Sequence, residues 1–174
     1  MKKTQSRSLV IDASVARAAG GDDAIHPTAM HARNFLSAVL TICHKAVMTP
    51  AVRTEWDAHQ SRFARKWRSS MVARKKLLLF DINERDDIRA QVNLATISQK
   101  QKAAMLKDCH LVESAIASDN RIISLDNVAR DLFKNSLDVP DVNSVLWVNP
   151  TDNAESVLVW LEKGALVRKE YKLT

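Results

Sequence analysis

Leu9-Val10-Ile11 is an unbroken apolar run that stops abruptly in Asp12-Ala13-Ser14. Without polar alternation, such a run reads as a strand buried on both faces, which is what a parallel sheet requires. Arg121-Ile122-Ile123-Ser124-Leu125-Asp126 repeats the grammar, an apolar run followed by a hydroxyl and a carboxylate. Ala46-Val47-Met48, Leu77-Leu78-Leu79-Phe80 and Val145-Leu146-Trp147-Val148 supply three further runs. The pattern predicts strands at about 8–12, 46–48, 77–80, 121–125 and 145–148. Helices are predicted at about 27–43, 50–76, 84–97, 98–118 and 127–135, with a last one opened by Asn149-Pro150 and closed near Gly164. Thr49 suits an N-cap and Pro50 the first helical position. Strands alternating with helices imply right-handed crossovers and an α/β fold with a parallel sheet.

The chain of 174 residues, 46% hydrophobic, is long enough for one proper core and short for two. A single domain over residues 1–174 is therefore expected. Cys43 and Cys109 each fall within an apolar helical pattern where a buried thiol is common, and two cysteines make no disulfide framework. A reducing cytoplasm is the expected compartment. Met1-Lys2-Lys3 resembles the start of a signal peptide, but Asp12 interrupts the apolar stretch too early. No window approaches a membrane span, so no membrane partner is expected. Gly20, Gly21 and Gly164 are the whole glycine complement, which excludes phosphate-cradling loops of the nucleotide-binding type.

The net charge of +6 is carried by one segment, residues 53 to 76, where eight Lys or Arg face only Glu55 and Asp57. This is the predicted long basic helix. Arg62, Arg65, Lys66 and Arg68, with Phe63 and Trp67 interleaved, suit nucleic-acid binding, the cations on phosphates and an exposed Trp67 on an unpaired base. The plainer reading is a solvated helix whose Trp56, Phe63, Trp67 and Met71 form a buried stripe, and their spacing favours burial. A mixed role is expected, basic face to RNA and aromatic face to protein, with a homodimer left open. A second, short basic stretch closes the chain with Lys163, Arg168, Lys169 and Lys172.

Four carboxylates, Asp12, Glu55, Asp108 and Asp126, stand where a strand end or helix would deliver them to one end of such a sheet. In open α/β sheets ligands bind outside the carboxyl ends of the strands, near the point where strand order reverses. Clustered acids repel one another without a cation, and hard divalent ions prefer oxygen ligands. The set therefore points to a hard divalent cation held by Asp12, Glu55 and Asp108, with Asp126 binding a second ion or orienting a nucleophile. Ser14 and Ser124 are candidates to hydrogen-bond a carboxylate or a phosphate, and neither has a base placed to make it a nucleophile. Asp12 and Asp108 have a plainer alternative as helix N-caps. Glu113 lies about 140° around a helix from Asp108, which predicts a solvent or rim position. Asp81 and Asp119 read as turn residues, and Asp131 as peripheral. His26, His31, His44, His59 and His110 show no zinc-like grouping and are expected at the surface or in the core.

Taken in order, these segments resemble the PIN-domain nucleases over nearly the whole chain. Val10-Ile11-Asp12-Ala13-Ser14-Val15 is similar to the family's opening motif, and Thr49-Pro50-Ala51-Val52-Arg53-Thr54-Glu55 to its second. Lys107 to Ala117 is similar to the helix bearing the third acid, Ile122 to Asp126 to the strand ending in hydroxyl, spacer and acid, and Val145 to Pro150 to the closing strand and turn. The resemblance implies a sheet of order 3-2-1-4-5 within an α/β/α sandwich, a Mg²⁺ or Mn²⁺ site, and cleavage of RNA phosphodiesters. Bacterial and archaeal relatives are often toxins paired with an antitoxin, so an antitoxin partner is an expectation of the same resemblance. The long basic helix exceeds what a compact member needs; an RNA-processing enzyme, or a PIN-like fold without catalysis that binds RNA or protein, is the alternative. A receiver domain would need an acid beside Asp12, and a haloacid-type phosphatase would need one where Ser14 stands.

Overall fold

The computed structural model describes residues 5–174. The first lysines, read above against a signal peptide, lie outside the described residues. β1 (Ser8–Ile11), β2 (Lys45–Met48), β3 (Leu77–Leu79), β4 (Arg121–Ile123) and β5 (Leu146–Val148) form one parallel sheet in the order β3-β2-β1-β4-β5. β1 and β4 are central, and Leu9, Val10, Ile11, Ile122 and Ile123 are all buried, because helices cover both faces of the sheet. The result is a three-layer α/β/α architecture.

The helices are α1 (Ala13–Ala18), α2 (Pro27–Thr41), α3 (Pro50–His59), α4 (Arg62–Ala73), α5 (Asp86–Leu94), α6 (Gln99–Ile116), α7 (Asn127–Ser136), α8 (Pro140–Asn143) and α9 (Ala154–Glu162). α1 packs on α2, α3 and α4, and α2 also meets α4 and α9. α6 packs on α5, α7 and α8 and crosses β1 and β4. It starts in a capping box, Ser98 Oγ accepting from Gln101 N and the Gln101 side chain accepting from Ser98 N.

The predicted continuous basic helix at 50–76 is two helices. Gln60 leaves the helical region at φ −60°, ψ 134°, and Ser61 Oγ caps the next helix by accepting from Ala64 N. The break lets Trp56 and Trp67 stack at 5.6 Å between ring centroids, one above the other rather than along one rod. Trp56 Nε1 donates to Ile11 O at 2.7 Å and Trp67 Nε1 to Leu36 O, so both indoles satisfy their one donor inside the chain. Trp67 is 3% exposed and cannot stack on a base. The stripe belongs to the chain's own core, which removes the reason for assigning it to a dimer.

Two smaller expectations are also corrected. Cys109 is buried as predicted, but Cys43 follows the end of α2 and is exposed. The last helix begins at Ala154 rather than beside Pro150, because Asn149 Oδ1 accepts from both Thr151 N and Thr151 Oγ1 and holds the chain in a turn. The basic C-terminal stretch is tied back onto the sheet by an antiparallel bridge between Leu146 and Lys172.

Candidate functional site

β1 and β4 run in register, Val10 beside Ile122 and Ile11 beside Ile123, and Asp12 N donates to Ile123 O at 2.9 Å. The residues just beyond them, Asp12 and Ser124, are thereby neighbours at the sheet's carboxyl edge. Here the strand order reverses, with β2 on one side and β4 on the other.

Asp12 occupies the N-cap position of α1, yet its side chain makes no capping bond. Its Oδ2 accepts instead from Ser14 Oγ at 2.5 Å and from Ser124 Oγ at 2.8 Å. The two hydroxyls are themselves held, Ser14 Oγ accepting from Leu125 N and Ser124 Oγ from Asp126 N, each at 3.1 Å. With its proton committed to Asp12, neither serine is set up as a nucleophile. The arrangement instead orients one carboxylate, with both serines beside it as the sequence suggested.

Asp126 caps α7 through Oδ1, which accepts from Ala129 N at 2.8 Å, and is otherwise exposed. Asp108 is not an N-cap; it lies in the middle of α6, half-buried. Burial of its carboxyl, and then the negative charges of Asp12 and Asp126, push its pKa up to about 6. Glu55 is about one and a half turns into α3, with His59 Nε2 3.6 Å from its Oε2. All four acids line one cavity of about 150 Å³, walled also by Arg17, His59, Lys107 and His110. Four separate stretches of chain thus deliver one carboxylate each to a common pocket.

The donor set is all oxygen and carries as many as four negative charges, which suits a hard divalent cation. Among the described residues, no group of three or more His, Cys, Asp or Glu side chains is placed so that together they could hold a metal ion. Mg²⁺ takes only one or two carboxylates directly and keeps several waters, so an open pocket of this size fits it. Asp12, Glu55 and Asp108 would hold such an ion directly or through water, with Asp126 at the exposed rim.

Other residues fall differently from the sequence reading. Glu113 does not face solvent; it is 3% exposed and accepts from Arg85 N at 2.9 Å and from Arg89 Nε and Nη2 at 2.8 and 3.0 Å. It pins α5 to α6. Asp131 pairs with Arg130 and stays outside the pocket, as expected. Arg62, Arg65, Lys66 and Arg68 do not line the acid pocket, and Lys66 and Arg68 are engaged by Asp22 and Asp57 at 2.7 and 2.6 Å. Of the histidines, His44 takes the core role, accepting from Arg7 N and donating to Leu161 O, whereas His59 and His110 line the acid pocket. The Arg and Lys side chains that line the acid pocket, Arg17 and Lys107, were missed. Lys107 precedes Asp108 directly, and His59 follows Glu55 by one helical turn, so the i,i+4 spacing was a usable signal. Asn149 was also missed: its Nδ2 donates to Leu125 O and Asn127 Oδ1 and braces the loop that carries Asp126.

Among the described residues no helix is long and apolar enough to cross a membrane. No family model, curated protein or solved structure matches the chain.

Proposed function

We propose that this chain is a metal-dependent endoribonuclease of PIN-like type, hydrolysing RNA phosphodiesters with Mg²⁺ or Mn²⁺. The observation that carries the reading is the convergence of Asp12, Glu55, Asp108 and Asp126 on one pocket at the strand-order switch. Burial of Asp108, and then the charges of Asp12 and Asp126, raise its pKa to about 6, so its ionised form destabilises the fold at neutral pH, and a cation would offset both effects. A bound divalent ion supplies polarisation of the phosphoryl group and a water of lowered pKa. Ser14 and Ser124 keep Asp12 in one orientation, Asn149 steadies the Asp126 loop, and Arg17 and Lys107 offer positive charge to the phosphate. In the same reading the chain acts as the toxin of a toxin-antitoxin pair in the cytoplasm. Growth arrest on expression, absent for Asp12→Asn, is the outcome that supports this last part, and equal arrest by both proteins rejects it.

The test of the nuclease reading is incubation of the purified chain with a pool of single-stranded and structured RNA in Mg²⁺ or Mn²⁺, beside EDTA and an Asp12→Asn/Asp108→Asn control. Discrete cuts that need metal and vanish in the control support the reading. Bound but uncut RNA in both metals would assign the chain to the non-catalytic binding modules instead.

A further inference from the structure

Thr49 stands at the N-cap of α3, where a threonine ordinarily accepts from the backbone N–H of the second or third helical residue. Here its side chain makes no capping bond. Thr49 Oγ1 lies instead 2.9 Å from Ser114 Oγ on α6, and both residues are fully buried. A hydroxyl pair in so dry a setting holds its geometry closely, because neither group has water to turn to. The ion pairs of the two helices go elsewhere, Glu55 with His59 on α3 itself and Glu113 with Arg89 on α5.

α3 and α6 also wall a common cleft of about 450 Å³, with Thr49 and Glu55 on one side and Lys107, His110 and Glu113 on the other. Glu55, Lys107 and His110 line the acid pocket as well, so the cleft and the pocket adjoin. Glu55 follows Thr49 by six residues and Asp108 precedes Ser114 by six, which sets each carboxylate about 9 Å along its own helix from the hydroxyl pair. On an arm of that length a tilt of about 6° moves a carboxylate by about 1 Å, a misplacement on the scale that costs about 100-fold in rate.

Resting on the nuclease reading, we propose that Thr49 and Ser114 are positioning residues, whose hydrogen bond ties α3 to α6 and fixes the gap between Glu55 and Asp108. Neither hydroxyl touches the reacting atoms. Thr49 forgoes its cap, and the bond it makes instead joins the two helices that carry these acids.

The test uses the full chain with Thr49→Val, which keeps the shape and loses the hydroxyl, Thr49→Ser, which keeps the hydroxyl, and Ser114→Ala. The gap is read without metal or RNA, by bridging the thiols of Glu55→Cys/Asp108→Cys, in a Cys43→Ser background, with bis-maleimides of graded length. With the tie intact only a narrow range of lengths should bridge. Thr49→Val and Ser114→Ala should widen that range, and Thr49→Ser should not. In chains with the acids intact, Thr49→Val should weaken Mn²⁺ binding about tenfold in calorimetry and lower kcat roughly 10- to 100-fold with KM unchanged, and Thr49→Ser should restore both. Ser114→Ala frees Thr49 Oγ1 to cap α3, so it should melt above Thr49→Val while losing as much Mn²⁺ affinity. An unmoved bridging range, or Mn²⁺ affinity that only follows the melting temperature, overturns the proposal. If Thr49→Val does not fold, Ser114→Ala and Thr49→Ser decide. A widened range in a chain whose wild type cuts no RNA would keep the tie and reject the nuclease reading; cutting with an unmoved range would do the reverse.

Discussion

At the scale of single residues, Asp108 links the pocket's chemistry to stability. Its folded pKa of about 6 is raised above the ordinary aspartate value, by burial first and by Asp12 and Asp126 second. The folded chain therefore holds this proton more tightly than the unfolded one. Stability is favoured while Asp108 is protonated and declines as pH rises from about 4 through about 6. Asp108→Asn removes the penalty, so the variant should melt a few degrees above wild type at pH 8, on the order of 1 kcal/mol once solvent screening is allowed for. The two melting curves should meet near pH 4, and Mg²⁺ or Mn²⁺ should narrow the gap at pH 8 by stabilising wild type alone. A gap that persists at pH 4 would mean that packing, not charge, separates them. Metal affinity of wild type should in turn fall below about pH 6, where the proton competes for Asp108. Ser14 and Ser124 act one step further out, through Asp12 Oδ2. Ser14→Ala/Ser124→Ala should weaken metal binding by roughly 10- to 100-fold in calorimetry while leaving the fold intact, and unchanged affinity would remove the serines from the site.

At the scale of elements, the strands and most of the helices were legible and the break within the basic segment was not, for a physical reason. A strand covered on both faces must be apolar throughout, so β1, β2 and β4 stand out against any neighbouring sequence. The break between α3 and α4 leaves no such mark. His59-Gln60-Ser61 contains neither glycine nor proline, and Trp56, Phe63, Trp67 and Met71 keep helical spacing across it. Only Ser61 as an N-cap hinted at two helices. Glu113 fails differently: a helical angle places it away from Asp108 but says nothing of what packs there, and here the neighbour is α5 with Arg89. The ion pair is buried on the Glu113 side and bidentate, so removing one partner leaves an uncompensated charge. Glu113→Ala should destabilise the chain by about 3–5 kcal/mol in chemical denaturation and loosen α5, whose amides should exchange faster. A loss below 1 kcal/mol would show that water reaches Arg89 and solvates it without its partner.

At the scale of the whole molecule, the charge excess was legible as a segment but not as a surface. The sequence locates eight cations in residues 53 to 76, while folding decides which remain available. Lys76 turns inward, its Nζ donating to Leu40 O at 2.8 Å and also to Val39 O and Ile42 O at the end of α2. Lys66 and Arg68 face Asp22 and Asp57, and Arg74 donates to Leu40 O, which leaves Arg62 and Arg65 exposed on α4 with no ion pair among the described residues. Arg17 and Lys107, from α1 and α6, stand instead at the acid pocket. Two groups of cations should therefore behave differently toward RNA. Each phosphate contact on a single strand adds about 0.7 to the slope of log affinity against log salt. If RNA is the ligand, Arg62→Ala/Arg65→Ala should flatten that slope by up to about 1.4, with cutting at saturating RNA unchanged, because these residues are exposed and do not line the acid pocket. Lys66→Ala/Arg68→Ala should flatten it by much less, their charges being already paired. On the nuclease reading, Lys107→Ala should lower the maximal cutting rate as well as the affinity, since Lys107 lines the acid pocket. Should the α4 pair set the rate and Lys107 only the affinity, the scissile phosphate would lie against α4, and the acid pocket could not be where the bond is cut.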